Sequence, residues 1–381
     1  PHTLRLDLDG DGRADTLIAG DNVWTWYANK GRKGMENGGQ VLNTTEEEKG
    51  PVLLLRDQLQ SIFLADMSGD GLTDIVRIRN GEVCYWPNLG YGRFGAKVSM
   101  LHAPYFQAAD KYHPQYLSLS DIRGTGTADL IYIGKENTKI WLNQAGNGFS
   151  EAVLVPPMPS TDAFSKIAIL DFLGNGTSCL VWSSPLPHHG SSPIRYIDLL
   201  GSKKPYLLKT FKNGMGKEIS LEYKSSTHYY LEDKKQGIYW ATKLPFPVHC
   251  VHKVITHDIV SETTYTQSYK YRHGYYDSPE REFRGFGYVE TLDTDSAALN
   301  HLPLNINNSL DQASVLTKTW YHTGAWLQLK NLIEAYQKEY FPFEDWDAFI
   351  KTATFPKGLS WQENREAHRA LKGSVLRQEV Y

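Results

Sequence analysis

Short apolar runs, each ending in an aspartate and a glycine-rich polar loop, recur along the first 200 residues. Four segments align: "TLRLDLDGDGRAD" (Thr3 to Asp15), "IFLADMSGDGLTD" (Ile62 to Asp74), "LSLSDIRGTGTAD" (Leu117 to Asp129) and "IAILDFLGNGTSC" (Ile167 to Cys179). In each, the apolar run predicts a short strand. Glycines at the fourth and sixth positions counted from the first aspartate predict a backbone that turns through positive φ. The spacing continues downstream. Asp7 and Asn29, Asp66 and Asn88, and Asp121 and Asn143 are each 22 residues apart, with Tyr27, Trp86 and Trp141 two places before the asparagine. Between loop and asparagine lies a hairpin, clearest in "DIVRIRNGEVCYW", where Asn80-Gly81 predicts a type I′ turn. "NLGYGRFG" and "NQAGNGFS" then turn into a further strand. Repeats that start 50 to 59 residues apart and yield about four short antiparallel strands each predict the blades of a β-propeller. The Asp/Gly loop then joins two strands of one blade.

After about residue 200 the repeat stops. "PYLLKTFKNGMGKEISLEYKSS" predicts a hairpin at Asn213-Gly214, with Ile219, Leu221 and Tyr223 alternating. "PFPVHCVHKVITHDI" and "TTYTQSYKYRHGYYD" follow as longer strands, the second with Tyr265, Tyr269 and Tyr271 on one side. From about Ser296 the pattern is mixed. "VLTKTWYHTG" predicts a strand, and Leu329, Leu332, Ile333 and Tyr336 fall at helical spacing. "SWQENREAHRALKG" opens with a capping box, Ser360 with Glu363, and "SVLRQEVY" predicts a last strand. The expected division is blades over 1–200, a tyrosine-rich antiparallel β-sheet domain over 201–295 and a mixed α/β extension over 296–381. The fold class is mainly β, with a few short helices near the C-terminus.

Composition narrows the function. The chain has 381 residues, 41% of them apolar, enough for a sizeable core. A net charge of −3 without a long basic run excludes nucleic acid as a principal partner. No apolar stretch approaches the roughly 20 residues of a membrane helix, and no secretory signal opens the chain, which starts at Pro1 and reads as a fragment or processed product. Direct membrane insertion is therefore not expected. Cys84, Cys179 and Cys250 match neither a disulfide framework nor a zinc spacing and are expected as buried thiols.

The Asp-rich loops raise the question of metal. Asp7, Asp9, Asp11 and Asp15, with the Arg13 carbonyl, resemble the first nine positions of a calcium loop. Carboxylates ~5 Å apart repel by roughly 3 kcal/mol a pair at an effective dielectric near 20, which a cation or full solvation must relieve. The second loop keeps Asp66, Ser68, Asp70 and Asp74. In the third, Arg123 stands at the second ligand position, Thr125 at the third, and a guanidinium replaces the metal between Asp121 and Asp129. The fourth has Asp171 and Asn175 but ends at Cys179. Ile18 and Arg77 stand where a calcium loop has its bidentate Glu, so Ca²⁺ affinity is expected to be weak, on the order of 0.1 to 1 mM. The competing reading is that these aspartates cap local backbone N–H groups without metal.

Other motifs point away from catalysis. "GYGRFG" fits the dinucleotide fingerprint, but "AKVSM" after it predicts no helix. In "VHCVH", Cys250 and His252 fall on one face of a strand and His249 on the other. "PEREFRGFG" brings Glu280, Arg281, Glu282 and Arg284 together, most simply as surface or inter-strand ion pairs. No GxSxG, HExxH, Walker A or kinase signature occurs, so no catalytic residue is assigned and the chain is read as a non-enzyme.

Five long strings, "DGLTDIVRIRNGEVCYWPNLGYGRFG", "LPFPVHCVHKV", "YRHGYYDSPEREFRGFGYVETLDTD", "VLTKTWYHTGA" and "EAHRALKGSVLRQEVY", resemble the B component of bacterial insecticidal toxin complexes (Tc), the TcdB/TcaC family, which is also similar to the SpvB N-terminal region. The resemblance spans nearly the whole chain. It implies a secreted scaffold: an FG-GAP-like propeller that docks on the pore-forming A component and acts as a gate. A β-shell of Rhs/YD type follows, which with the C component encloses a toxic payload. The blades here number four, fewer than the family's ring, and the long YD-repeat tract is absent. The alternative is a calcium-dependent adhesin or lectin-like propeller, since integrin-type FG-GAP blades share such loops. An enzyme of the SpvB type would need a transferase domain for which these residues offer no candidate.

Overall fold

The computed structural model describes residues 2–20, 23–42, 44, 46–51, 61–108, 111–134, 137–156, 158–159, 164–278, 280–296, 314–326, 329–342 and 355–381. The chain forms two compact units, residues 1–172 with 177–205 and residues 173–176 with 206–381.

In the first unit the strands form four antiparallel sheets, each built from neighbours in sequence. The first holds β1 (His2–Leu6), β2 (Asp15–Ala19), β3 (Val23–Asn29) and β4 (Met35–Leu42). The second holds β5 (Ile62–Ala65), β6 (Asp74–Arg79), β7 (Glu82–Trp86) and β8 (Val98–Ser99). The third holds β9 (Leu117–Ser120), β10 (Asp129–Ile133), β11 (Thr138–Trp141) and β12 (Val153–Val155). The fourth holds β13 (Lys166–Leu170), β14 (Cys179–Ser183) and β15 (Ile194–Asp198). These are the expected blades, and the Asp/Gly loop joins the first two strands of each.

Alternation explains how they stack. Successive strand residues point to opposite faces, and in the second sheet both faces are covered. Ile75, Cys84 and Trp86 pack with Leu17, Trp24 and Trp26 of the first sheet, whereas Val76, Ile78, Val83 and Tyr85 pack with Leu130, Tyr132 and Trp141 of the third. Ile131, Ile133 and Ile140 then meet Leu180 of the fourth. For this reason β6 and β10 are buried at five consecutive positions instead of every second one.

One turn differs from expectation. β6 and β7 are joined at Asn80-Gly81, but only Gly81 has positive φ (85°), so the turn is not type I′, which requires it at both residues. The Asn80 amide is used elsewhere: it donates to the Gln107 carbonyl (2.6 Å) and accepts from Phe106 N (2.7 Å), tying the hairpin to a strap that follows β8.

The second unit is a single seven-stranded meander: β16 (Thr210–Lys212), β17 (Lys217–Ser225), β18 (His249–Asp258), β19 (Thr263–Asp277), β20 (Glu282–Ser296), β21 (Val315–Tyr321) and β22 (Val375–Val380). β21 and β22, from the stretch expected as a mixed extension, continue this sheet; residues 297–313, beside the expected boundary, lie outside the described residues. Helices α2 (Leu329–Glu339) and α3 (Trp361–Ala370) stand where the spacing predicts them, and the Ser360/Glu363 capping box forms. A third, α1 (Ser226–Lys235), is absent from the sequence reading: it has no apolar stripe. It starts at the Ser225 cap and is held by Asp233, which accepts from Trp240 Nε1 (2.7 Å) and Arg272 Nε (3.0 Å).

Candidate functional site: the Asp and Gly loops

The first three loops close on their own carboxylates. The first aspartate accepts the N–H groups of both glycines: Asp7 from Gly10 (2.8 Å) and Gly12 (2.6 Å), Asp66 from Gly69 (2.7 Å) and Gly71 (2.8 Å), Asp121 from Gly124 (2.7 Å) and Gly126 (2.8 Å). All six glycines have φ between 71° and 89°, a region costly for a side chain.

The last aspartate of the loop is fully buried and bridges two segments. Asp15 accepts from Leu8 N (2.9 Å) and Asn29 N (2.8 Å), Asp74 from Met67 N and Asn88 N (both 2.9 Å), Asp129 from Ile122 N (3.2 Å) and Asn143 N (2.8 Å). Burial raises all three above the ordinary carboxylate range, Asp74 to about 6, against the pull of their N–H donors.

The 22-residue spacing now has a cause, which the sequence reading did not assign. Asn88 and Asn143 each bind the loop of their own sheet and reach the preceding one. The Asn88 amide donates to the Thr73 carbonyl (3.1 Å) and the Asp7 carbonyl (3.2 Å); Asn143 donates to Ala128 and Met67 carbonyls, both at 3.1 Å. Tyr91 N donates to the Leu8 carbonyl in the same junction. One asparagine thus locks successive blades in register. In the fourth repeat a buried Cys179 replaces the last aspartate.

As for metal, Asp7, Asp9 and Asp15 bring ligand oxygens within 4.8 Å of one another, the only such group of three or more His, Cys, Asp or Glu among the described residues. Asp11 lies outside it and accepts from Arg13 N (2.9 Å). Lys30 Nζ stands 3.4 Å from Asp9, so a cation there competes with a lysine. Asp7 and Asp15 keep second lone pairs beyond their N–H donors, and the donor set suits a hard cation. In the second loop, Ser68 Oγ lies 3.5 Å from Asp66, Asp70 accepts from Leu72 N (2.9 Å), and Asp74 is taken up by backbone. In the third, the Arg123 guanidinium sits 3.2 Å from Asp129 and donates to the Asn143 carbonyl (2.9 Å), the built-in cation that the sequence suggests.

The remaining motifs are structural. Cys250 is buried, which pushes its thiol up to about 12, and His252 Nδ1 pairs with the Tyr229 hydroxyl (3.1 Å). The Glu280 to Arg284 ion pairs do form, but Arg284 is buried rather than at the surface, 2.9 Å from Asp277 and 3.1 Å from Glu282; Pro279 lies outside the described residues. "GYGRFG" is a turn into the Asn88–Phe94 bridge, with no helix after it. A buried Arg77, which pairs with Glu47 (2.6 Å) and Glu82 (2.7 Å), had no sequence signal beyond its place in an apolar strand.

Comparison with known proteins fits this geometry. Residues 142–324 match the insecticide toxin TcdB middle/N-terminal region, and residues 7–77 an FG-GAP-like repeat. The chain is similar over its full length to 17% of a chain in the Tc holotoxin pore of Photorhabdus luminescens, at 30% identity and a TM-score of 0.81. It is similar in fold to 23% of a chain in the TcdB2-TccC3 crystal structure, at 24% identity and a TM-score of 0.70. It thus spans about a fifth of each of these two solved chains. No curated protein matches. The chain is Tc B-component-like, FG-GAP-like blades running into a TcdB middle/N-terminal region.

Proposed function

We propose that this chain is a non-catalytic scaffold segment of a secreted toxin complex, its blades docking on a pore-forming A component and its long sheet helping to enclose the payload of a C component. The observation that carries this reading is the full-length likeness to a chain of a Tc holotoxin pore. The blade construction supports it: the first and last aspartates close the first three loops on backbone N–H groups, and Asn88 and Asn143 tie successive blades, which makes a rigid surface. Among the described residues no helix is long and apolar enough to cross a membrane. The test is competition. Excess folded chain should reduce assembly of an A component with an intact B–C pair; no reduction at saturating chain overturns the docking role.

A weak Ca²⁺ site in the first loop, with Asp7, Asp9 and Asp15 as ligands, belongs to the same proposal, and a weaker one in the second with Asp66, Ser68, Asp70 and Asp74. Calorimetry should show Ca²⁺ heat that Asp9→Ala with Asp11→Ala removes. Absence of heat in the unaltered chain overturns it. Chelator-sensitive binding to cell-surface glycans would favour the adhesin reading.

A further inference from the structure

Three strings without a role in the blades, "PEREFRGFG", "VLTKTWYHTGA" and "EAHRALKG", meet at one place in the second unit. Gly324 is the crossing point. Its N–H donates to His322 Nδ1 (2.9 Å), and its carbonyl accepts from Arg284 Nη1 (2.8 Å). A Cβ added there would stand 3.3 Å from Arg369 Cα and 3.4 Å from the His368 carbonyl, and its φ is +73°. His322 and His368 are 5% and 7% exposed, with ring centroids 6.1 Å apart. The backbone of His322 also pairs with Gly373 and Ser374, just before β22.

Charge holds α3 over the tip of the β19–β20 hairpin. Glu280 pairs with Arg365 and, at 3.9 Å, with Arg369; Glu282 pairs with Arg369 (3.4 Å) and Lys372 (2.8 Å). Arg284 and Asp277 form the buried pair beneath. The ionisable group that faces His322 is His368 from α3; Arg369 of α3 and Arg284 of β20 stand against Gly324, and Asp277 of β19 against Arg284.

Because His322 Nδ1 accepts a hydrogen bond, the neutral ring carries its proton on Nε2. His368 is set the other way, its Nδ1–H donating to the Asn364 carbonyl (2.7 Å). A second proton on His322 would turn its acceptor into a donor facing the Gly324 N–H. It would also place a buried cation beside His368.

We propose that this junction is an acid-sensitive latch: α3 stays docked on the β19–β20 hairpin while His322 is neutral, and undocks when His322 takes up a proton. Burial, with His368 close by, lowers the pKa of His322 to about 4. A histidine whose docked pKa lies below its free value supports docking above about pH 6.5, and that support is lost as pH falls toward 4. Glu282, which holds Arg369 and Lys372, is lowered below its ordinary value chiefly by its hydrogen bond to Lys372.

Hydrogen exchange of the whole chain, corrected for intrinsic rates, tests this at about pH 7.5 and about pH 5. The α3 amides should exchange about tenfold or more faster at the lower pH, reversibly, with the β19–β20 amides still protected. His322→Asn keeps an acceptor for Gly324 N–H and does not titrate, so it should abolish the step. Equal protection of α3 at both pH values overturns the latch, as does a His322→Asn chain that opens at the same pH as the unaltered one. Should His322→Asn not fold, the imidazole is titrated by NMR in the unaltered chain: a pKa below about 6 supports the latch, and one at or above it overturns it.

Discussion

In the blades, the buried carboxylates Asp15, Asp74 and Asp129 accept backbone N–H groups from their own repeat. Against the seven-stranded sheet, the carboxylate of Glu339 at the end of α2 meets Arg272 Nη1 (3.3 Å), His273 Nε2 (3.3 Å) and Trp320 Nε1 (3.1 Å), side chains from two strands, β19 and β21. The first arrangement is local, so it can be copied, and it returns with the same atoms in three repeats. The second is a network of unlike side chains gathered from distant sequence, and no member has a substitute. Blades therefore lose a fraction of their order when one carboxylate is removed, whereas removal of Glu339 takes a partner from three side chains at once.

Glu339→Ala breaks this comparison most sharply. It leaves Arg272 with Asp233 alone and strips partners from Trp320 and His273, so a cost of about 3–5 kcal/mol is expected in the second unit. Urea unfolding with exchange read separately over α2 and over β6 checks it; equal loss in both units contradicts the division. Acid should separate the units in the same direction. Burial pushes Glu339 up, but hydrogen bonds and charge from His273 and Arg272 hold it below its ordinary value. Its stabilisation is present above the unfolded value and lost as pH falls through the lowered one. Asp129 is raised by burial despite Asn143 N and Arg123, so its contribution is present at low pH and lost as pH rises through the folded value. Below about pH 4.5 the α2 region should lose protection before the third blade does.

Asp129→Ala is the matching cut in the blades. It removes the acceptor for Ile122 N and Asn143 N and the carboxylate 3.2 Å from the Arg123 guanidinium. At about 1–3 kcal/mol for each unmet buried group, with only partial additivity, about 2–4 kcal/mol is expected. Thermal melts should fall, with exchange rising first at β10 and β11. Asn88→Ala is milder, about 1–2 kcal/mol, because it unties the second sheet from the Asp7 carbonyl while Asp74 still closes its own loop. Faster exchange confined to the first and second sheets is the expected sign.

What could be read from sequence follows the same line. The Asp, Gly and Asn positions were visible because each repeat solves its turn with its own residues. The inter-blade bonds were not, since the partners of Asn88 and Asn143 lie 81 and 76 residues away in sequence. α2 and α3 were legible from a stripe and a cap. α1 was not, because Tyr229 and Asp233 face inward through contacts with Tyr271, Trp240 and Arg272 instead of a continuous apolar stripe. Asn80 misled for a physical reason as well: its side chain is spent on the 104–107 strap, and its backbone keeps negative φ.

The smallest expected effect separates capping from metal within one loop. Asp11 is partly exposed, accepts from Arg13 N, lies 3.7 Å from the exposed Arg13 guanidinium and stands apart from Asp7, Asp9 and Asp15. In chelator, Asp11→Ala should change stability by less than about 0.5 kcal/mol, while Asp15→Ala loses two buried N–H acceptances and costs about 2–4 kcal/mol. Differential calorimetry on both variants decides between the accounts. Equal losses in chelator would mean that these loops are not held by the backbone bonds of their first and last aspartates. A loss at Asp11 that appears only with Ca²⁺ would add a cation to a loop already closed without one.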